Sequence, residues 1–160
     1  MKEKEIIEEK ETNNAVMVKD FGEYNVNRVG KSTQQVFTSI KDQKKIFNLD
    51  NNCDFKLNDC KGETLRVKDV LVKIIETPLD EPKVMEETGE IIDSEYKKIT
   101  ILIDEQGKSY VTASKMFTNQ ILRYIQMFGL ESITKDGLEI KIIERPVKNS
   151  SNKALGFELA

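Results

Sequence analysis

Tyr96, Lys98, Lys108 and Tyr110 are the residues whose types and spacing carry the clearest chemistry in this chain. Aromatic rings stack on nucleic-acid bases, and lysine ammonium groups neutralise phosphates. Tyr96 and Lys98 are two residues apart, as are Lys108 and Tyr110, the separation that puts side chains on one face of a strand. The same pattern also describes a solvated polar face that holds two tyrosines for no functional reason.

Other chemistries have little to work with. The chain has no histidine, which removes the commonest general base and metal ligand. Cys53 and Cys60 are not spaced as a CxxC pair, and two thiols without histidine make a poor zinc site. No Gly-rich phosphate loop and no nucleophile elbow occurs. The reading is therefore a protein that is not an enzyme, with no catalytic residues, no metal and no cofactor.

Length and charge narrow the class further. The 160 residues suffice for one well-buried domain. With 33% charged residues, a net charge of −3 and no apolar run near ~18 residues, no membrane partner is expected. The charged opening, residues 1–11, lacks the apolar centre of a secretory signal, which points to the cytoplasm.

The elements that must position the four residues follow from periodicity. Ile99, Ile101 and Ile103 alternate as in a strand with one buried face, and the turn Asp104-Glu105-Gln106-Gly107 reverses the chain into a second strand, 108–113. If the isoleucines point inward, Tyr96, Lys98 and Thr100 point outward, matched by Lys108, Tyr110 and Thr112. The period then becomes helical, with Phe117, Ile121, Leu122, Ile125 and Phe128 on one stripe, Ser114 as N-cap and Gly129 as the stop.

Around this centre, residues 1–33 read as a flexible arm, because the Glu/Lys run and the Asn/Gly-rich stretch bury too little. Residues 34–40 suggest a strand and 41–49 a short helix. Residues 65–76 form a long strand whose apolar parity switches between Val67 and Val70, which a β-bulge at Lys68-Asp69 would explain. Residues 77–95, with Pro78, Pro82 and Thr88-Gly89, read as an acidic loop. Two further strands are expected at 138–145 and 154–159, the latter with Leu155, Phe157 and Leu159 inward.

The order β-β-β-α-β-β is that of the OB-fold, a mainly β, five-stranded Greek-key barrel with one helix between strands three and four. Here it would occupy residues 34–160, with extra N-terminal elements. In such barrels the surface of strands two and three, with the flanking loops, binds oligonucleotides or oligosaccharides. Residues 65–160 carry 14 basic and 16 acidic residues, but without 77–95 the balance is 13 to 9, or +4. A locally positive groove is thus compatible with an acidic total.

Several short pieces, spread over residues 34–160, together form a pattern. They are Val67-Lys68-Asp69-Val70, Thr88-Gly89-Glu90, Leu102-Ile103-Asp104 with Gly107, Ser109-Tyr110, Ser114-Lys115 and Phe128-Gly129. This pattern resembles the single-stranded-DNA-binding proteins of phages and mobile elements of Gram-positive bacteria. The resemblance implies a non-catalytic, largely sequence-independent binder acting in phage or plasmid replication, recombination or conjugative transfer. The cellular proteins of this type carry an acidic, aromatic recruiting tail, which Leu159-Ala160 does not supply.

On this reading bases stack on Tyr96 and Tyr110, while Lys98, Lys108, Lys73, Lys141, Arg145, Lys148 and Lys153 meet phosphates, with Arg66 and Lys115 behind them. The partner is single-stranded DNA, with RNA as an alternative and self-association as a further option. An OB barrel used only for protein assembly, without nucleic acid, is the competing reading.

Overall fold

The computed structural model describes residues 24–29, 31–147 and 153–160. It is mainly β, an eight-stranded sheet that curls into a half-barrel around a helix. The strands are β1 (Tyr24–Val29), β2 (Ser32–Thr38), β3 (Phe55–Lys56), β4 (Thr64–Val84), β5 (Ile91–Asp104), β6 (Ser109–Thr112), β7 (Leu138–Pro146) and β8 (Lys153–Leu159). The helices are α1 (Gln43–Asn51), α2 (Lys115–Phe128) and α3 (Glu131–Thr134), and Leu57–Cys60 forms a 3-10 turn. The strand order is β1-β2-β4-β5-β6-β3, with β7 on β4 and β8 on β7. All pairings are antiparallel except β3 with β6.

β4 is the hub. Its register slips between Val67 and Asp69, the position the parity switch predicts for a bulge. Leu65, Val67, Val70 and Val72 consequently all join the main core, although their positions change parity. The same bulge splits one edge of β4 between two partners. Thr64 to Val67 pair with β7, and Leu71 to Glu76 pair with β2. Ser39 fills the fork, since its Oγ donates to Asp69 Oδ1 at 2.9 Å and accepts from the Val70 N–H at 3.0 Å.

The main core lies between the concave sheet face and α2, whose Phe117, Ile121, Leu122 and Ile125 are fully buried. Ser114 caps the helix by accepting from the Phe117 N–H, and Gly129 ends it at φ 85°, where a side chain would be strained. Phe128, expected on the buried stripe, is exposed, as is Leu159 on β8. Among the described residues β6 and β8 form no ladder, so the sheet does not close there. Instead α2 bridges the seam. Gln120 donates its Nε2 to the Phe157 carbonyl at 3.1 Å and accepts the Phe157 N–H at 3.0 Å, completing both backbone groups as a strand neighbour would.

Three expectations change. Tyr24–Val29, within the presumed flexible arm, forms a strand on β2 in register from Tyr24↔Phe37 to Val29↔Ser32, while residues 1–23 lie outside the described residues. Residues 77–95 are not a loop but mostly a two-stranded ribbon that extends β4 and β5 to a tip at 85–90. A register shift between Pro78 and Lys83 accommodates both prolines, and among the described residues the ribbon carries no other strand on either edge. Finally, the hairpin of β5 and β6 is covered on both faces. Ile101 and Ile103 meet Leu71, Val36, Ile40 and Leu49 in a second core beneath β2 and α1.

Candidate nucleic-acid interface

The second core reverses the expected orientation of the hairpin. Because β2 and α1 take the isoleucine face, the opposite face turns into the main core. Thr100, Tyr110 and Thr112 are buried there, and Thr100 and Thr118 share a 2.6 Å hydroxyl hydrogen bond. Tyr110 is only 8% exposed, and its hydroxyl donates to Asp104 Oδ2 at 2.9 Å. Burial, followed by the Asp104 contact, pushes its phenol up to about 12. This ring cannot accept a base on an open face, contrary to the expectation from sequence.

Lys73 is likewise withdrawn. It is buried on the second-core side and paired with Asp50 of α1, and burial, with Lys97 nearby, pulls its pKa down. Tyr96 is 46% exposed on β5 opposite Glu76, and burial of its inner edge with the Glu76 carboxylate raises its phenol. Tyr110 pairs with Leu102, six residues along β5 from Tyr96, or roughly 20 Å of strand. The two tyrosines therefore do not form one stack. Lys98 is half-buried and donates to Asn119 Oδ1 at 2.8 Å, with burial and Lys115 lowering its pKa.

The remaining cations fall elsewhere. Lys141, Arg145 and Lys153 are exposed on β7 and β8. Arg66 donates to the Asp136 carbonyl at 2.9 Å and pairs with Glu105, so it braces the chain near Gly137. Lys115 is exposed at the start of α2, and Lys148 lies outside the described residues.

What the structure does assemble is a platform around Phe55. This ring is 43% exposed and stacks on Tyr110, with centroids 5.2 Å apart and planes at 24°. Lys108 Nζ stands 5.9 Å from the Phe55 centroid, within cation–π range. β3 holds the ring by parallel pairing of Phe55 with Tyr110. The segment is tied down by Asp54, whose Oδ2 accepts the Ser109 N–H at 2.9 Å and whose own N–H donates to Ser109 Oγ at 2.9 Å.

Next to the platform runs a groove of about 390 Å³ between α1 and the β5–β6 turn, lined by Lys44, Lys45, Asn48, Asn52, Gly107 and Ser109, together with Asp42, Leu49 and Asp54. Its two carboxylates are engaged internally, Asp42 as the N-cap of α1 and Asp54 with Ser109. Lys44, Lys45, Lys56 and Lys108 have no ion pair among the described residues. The groove lining is itself balanced, Lys44 and Lys45 against Asp42 and Asp54, and Lys108 lies between its Gly107 and Ser109.

No family model matches this chain, and neither does a curated protein or a solved structure.

The sequence signal for Phe55 was weak: it is the single aromatic residue of the run 51–62, in alternation with Cys53 and Leu57. Cys53 and Cys60 nearby are free thiols, and burial raises both, Cys60 to about 11. Each donates to a carbonyl one helical turn back, Leu49 and Lys56 respectively, so both act as packing groups. No cluster of metal-ligating side chains occurs among the described residues, and no helix there is long and apolar enough to cross a membrane.

Proposed function

We propose that this protein is a non-catalytic, largely sequence-independent binder of single-stranded DNA, with an OB-fold as its scaffold. The observation that carries the reading is the exposed Phe55 ring, backed by Tyr110 and capped by Lys108. A base laid on such a ring gains about 1–3 kcal/mol, whatever its identity, because every base has a π face. Lys44, Lys45, Lys56 and Lys108 neutralise the phosphates on either side of it.

The OB-fold reading is supported by the ladders β4–β5–β6 and β4–β7–β8 and by α2 between β6 and β7. It differs from a closed barrel at the seam held by Gln120. The resemblance to the single-stranded-DNA-binding proteins of phages and mobile elements adds the setting, replication, recombination or conjugative transfer of phage or plasmid DNA.

Titration of labelled oligo-dT, oligo-rU and duplex DNA tests the proposal. Tight binding of oligo-dT over duplex, weakened in Phe55→Ala, is the expected result. Preference for oligo-rU would move the substrate to RNA. Failure to bind any of the three at low salt would overturn the nucleic-acid reading.

A further inference from the structure

Among the described residues the ribbon of residues 77–95 pairs with no other strand beyond its own two, and isolated two-stranded ribbons are marginal in water. Yet its tip carries a cross-strand apolar pair, Val84 opposite Ile91, exposed at 64% and 63%, with Met85 beside it. The segment has seven carboxylates and one lysine. Asp80 pairs with Lys31 and Glu95 with Lys83, which leaves Glu81, Glu86, Glu87, Glu90 and Asp93 without an ion pair among the described residues. An apolar tip ringed by unmatched negative charge is a surface shaped for an apolar, positive partner.

The same chain presents such a partner at its opposite pole of charge. α2 contains no acidic residue, and its outward side opens a groove of about 960 Å³ lined by Met116, Asn119, Gln120, Arg123, Gln126 and Met127. The groove continues over Tyr124, Phe128 and Leu159 to Arg145, with Glu158 as its one carboxylate. Met127, Phe128 and Leu159 are all exposed, and no ribbon residue lines either part of the groove. Among the described residues both features are unpartnered, and they are opposite in charge.

We propose that the ribbon tip of one copy docks in the α2 groove of the next. Val84, Met85 and Ile91 cover Met127, Phe128 and Leu159, while the tip glutamates meet Arg123 and Arg145. The two contacting surfaces differ, so the interface is heterologous and a docked pair keeps one free ribbon and one free groove. Copies therefore add head to tail into rows. The contact is independent of the Phe55 platform and requires no nucleic acid.

Sedimentation velocity of the full chain at rising concentration, without nucleic acid, tests this. The wild-type chain should form species that grow beyond dimers with concentration and shrink with salt. Val84→Glu with Ile91→Glu, and separately Met127→Glu with Phe128→Glu, should each weaken assembly about a hundredfold or more. All four positions are solvent-exposed, so both variants keep the fold. Mixed together, the two variants retain one intact groove and one intact ribbon, and should form a heterodimer that grows no further. A wild-type chain that stays monomeric throughout, single variants that assemble normally, or a mixture that stays monomeric would each overturn the proposal. A monomeric wild type whose groove variant loses oligo-dT binding would assign the groove to nucleic acid instead.

Discussion

The Tyr110 hydroxyl donates to Asp104 Oδ2 at 2.9 Å, while the other oxygen of the same carboxylate accepts the N–H groups of Gln106 and Lys108. Asp104 thus joins the turn of the hairpin to the ring beneath Phe55. Tyr110→Phe should cost about 1–2 kcal/mol, the lower range for a hydrogen bond to a charged group at a partly exposed site. The folded chain holds the phenol at about 12, above its ordinary 10.0, so its contribution is full below pH 10 and is lost as pH rises through about 12. The stability difference between wild type and Tyr110→Phe, measured by denaturant titration from pH 8 upward, should therefore shrink above pH 10. A constant difference would mean that Asp104 does not set it.

Phe55 should matter for binding more than for stability. Phe55→Ala should weaken oligo-dT binding about tenfold or more, while Phe55→Tyr keeps it, because only the ring face is used. Fluorescence anisotropy gives the affinities. Tyr110→Ala, by contrast, should lower the melting temperature first, since it empties part of the core.

Salt dependence reports on the lysines. For a single strand, log K falls with log salt by about 0.7 per phosphate neutralised. Lys44→Gln, Lys45→Gln and Lys108→Gln should each flatten the slope by about that amount, whereas Lys73→Gln should leave it unchanged because Asp50 holds that ammonium. An equal effect from Lys73 would place the strand on the other side of α1.

Gln120 and Gly156 should be energetically coupled. A Cβ at Gly156 would stand 2.6 Å from Gln120 Oε1, the atom that accepts the Phe157 N–H. Gly156→Ala must therefore displace that side chain and break its bond. In a Gln120→Ala background the same substitution meets only Arg145 Cδ, at an ordinary contact distance of 3.5 Å. A double-mutant cycle by denaturant unfolding should give a coupling of about 1 kcal/mol or more, and an additive result would mean the seam is held elsewhere.

Deletion of residues 1–33 should lower the melting temperature. It removes β1, which pairs along β2, and the first residues of β2, of which Thr33 pairs with Glu76 of β4. A deletion confined to residues 1–23 spares those ladders and gives the baseline for comparison. Equal melting of the two truncated proteins would show that β1 adds nothing.

Much of the fold was legible because its signals are local. The parity switch between Val67 and Val70 located the bulge, and Ser114 with Gly129 bounded α2 to the residue. The faces of the hairpin were not legible, since a period of two reports alternation but not which side meets the larger core. Ile99, Ile101 and Ile103 face the smaller one, which exists only because Val36, Ile40 and Leu49 arrive from elsewhere in the chain. Lys73 read as a phosphate contact for the same reason: its partner Asp50 lies 23 residues away. The ribbon was hidden by Pro78 and Pro82, ordinarily loop residues, which its register shift absorbs.

The forked edge of β4 also bears on how the chain is made. At the N-terminal half of that edge, Thr64 to Val67 wait for Leu138 to Lys141, and Phe157 follows later still. At ribosomal speeds of about 5–20 residues per second, the 55 residues between Asp104 and Leu159 take roughly 3–11 s to appear. For that interval the newborn hairpin exposes Val70, Val72 and Leu102 with neither β7 nor β8 to cover them. The period of greatest aggregation hazard therefore falls late in synthesis, and it is there that a nascent-chain chaperone would be needed.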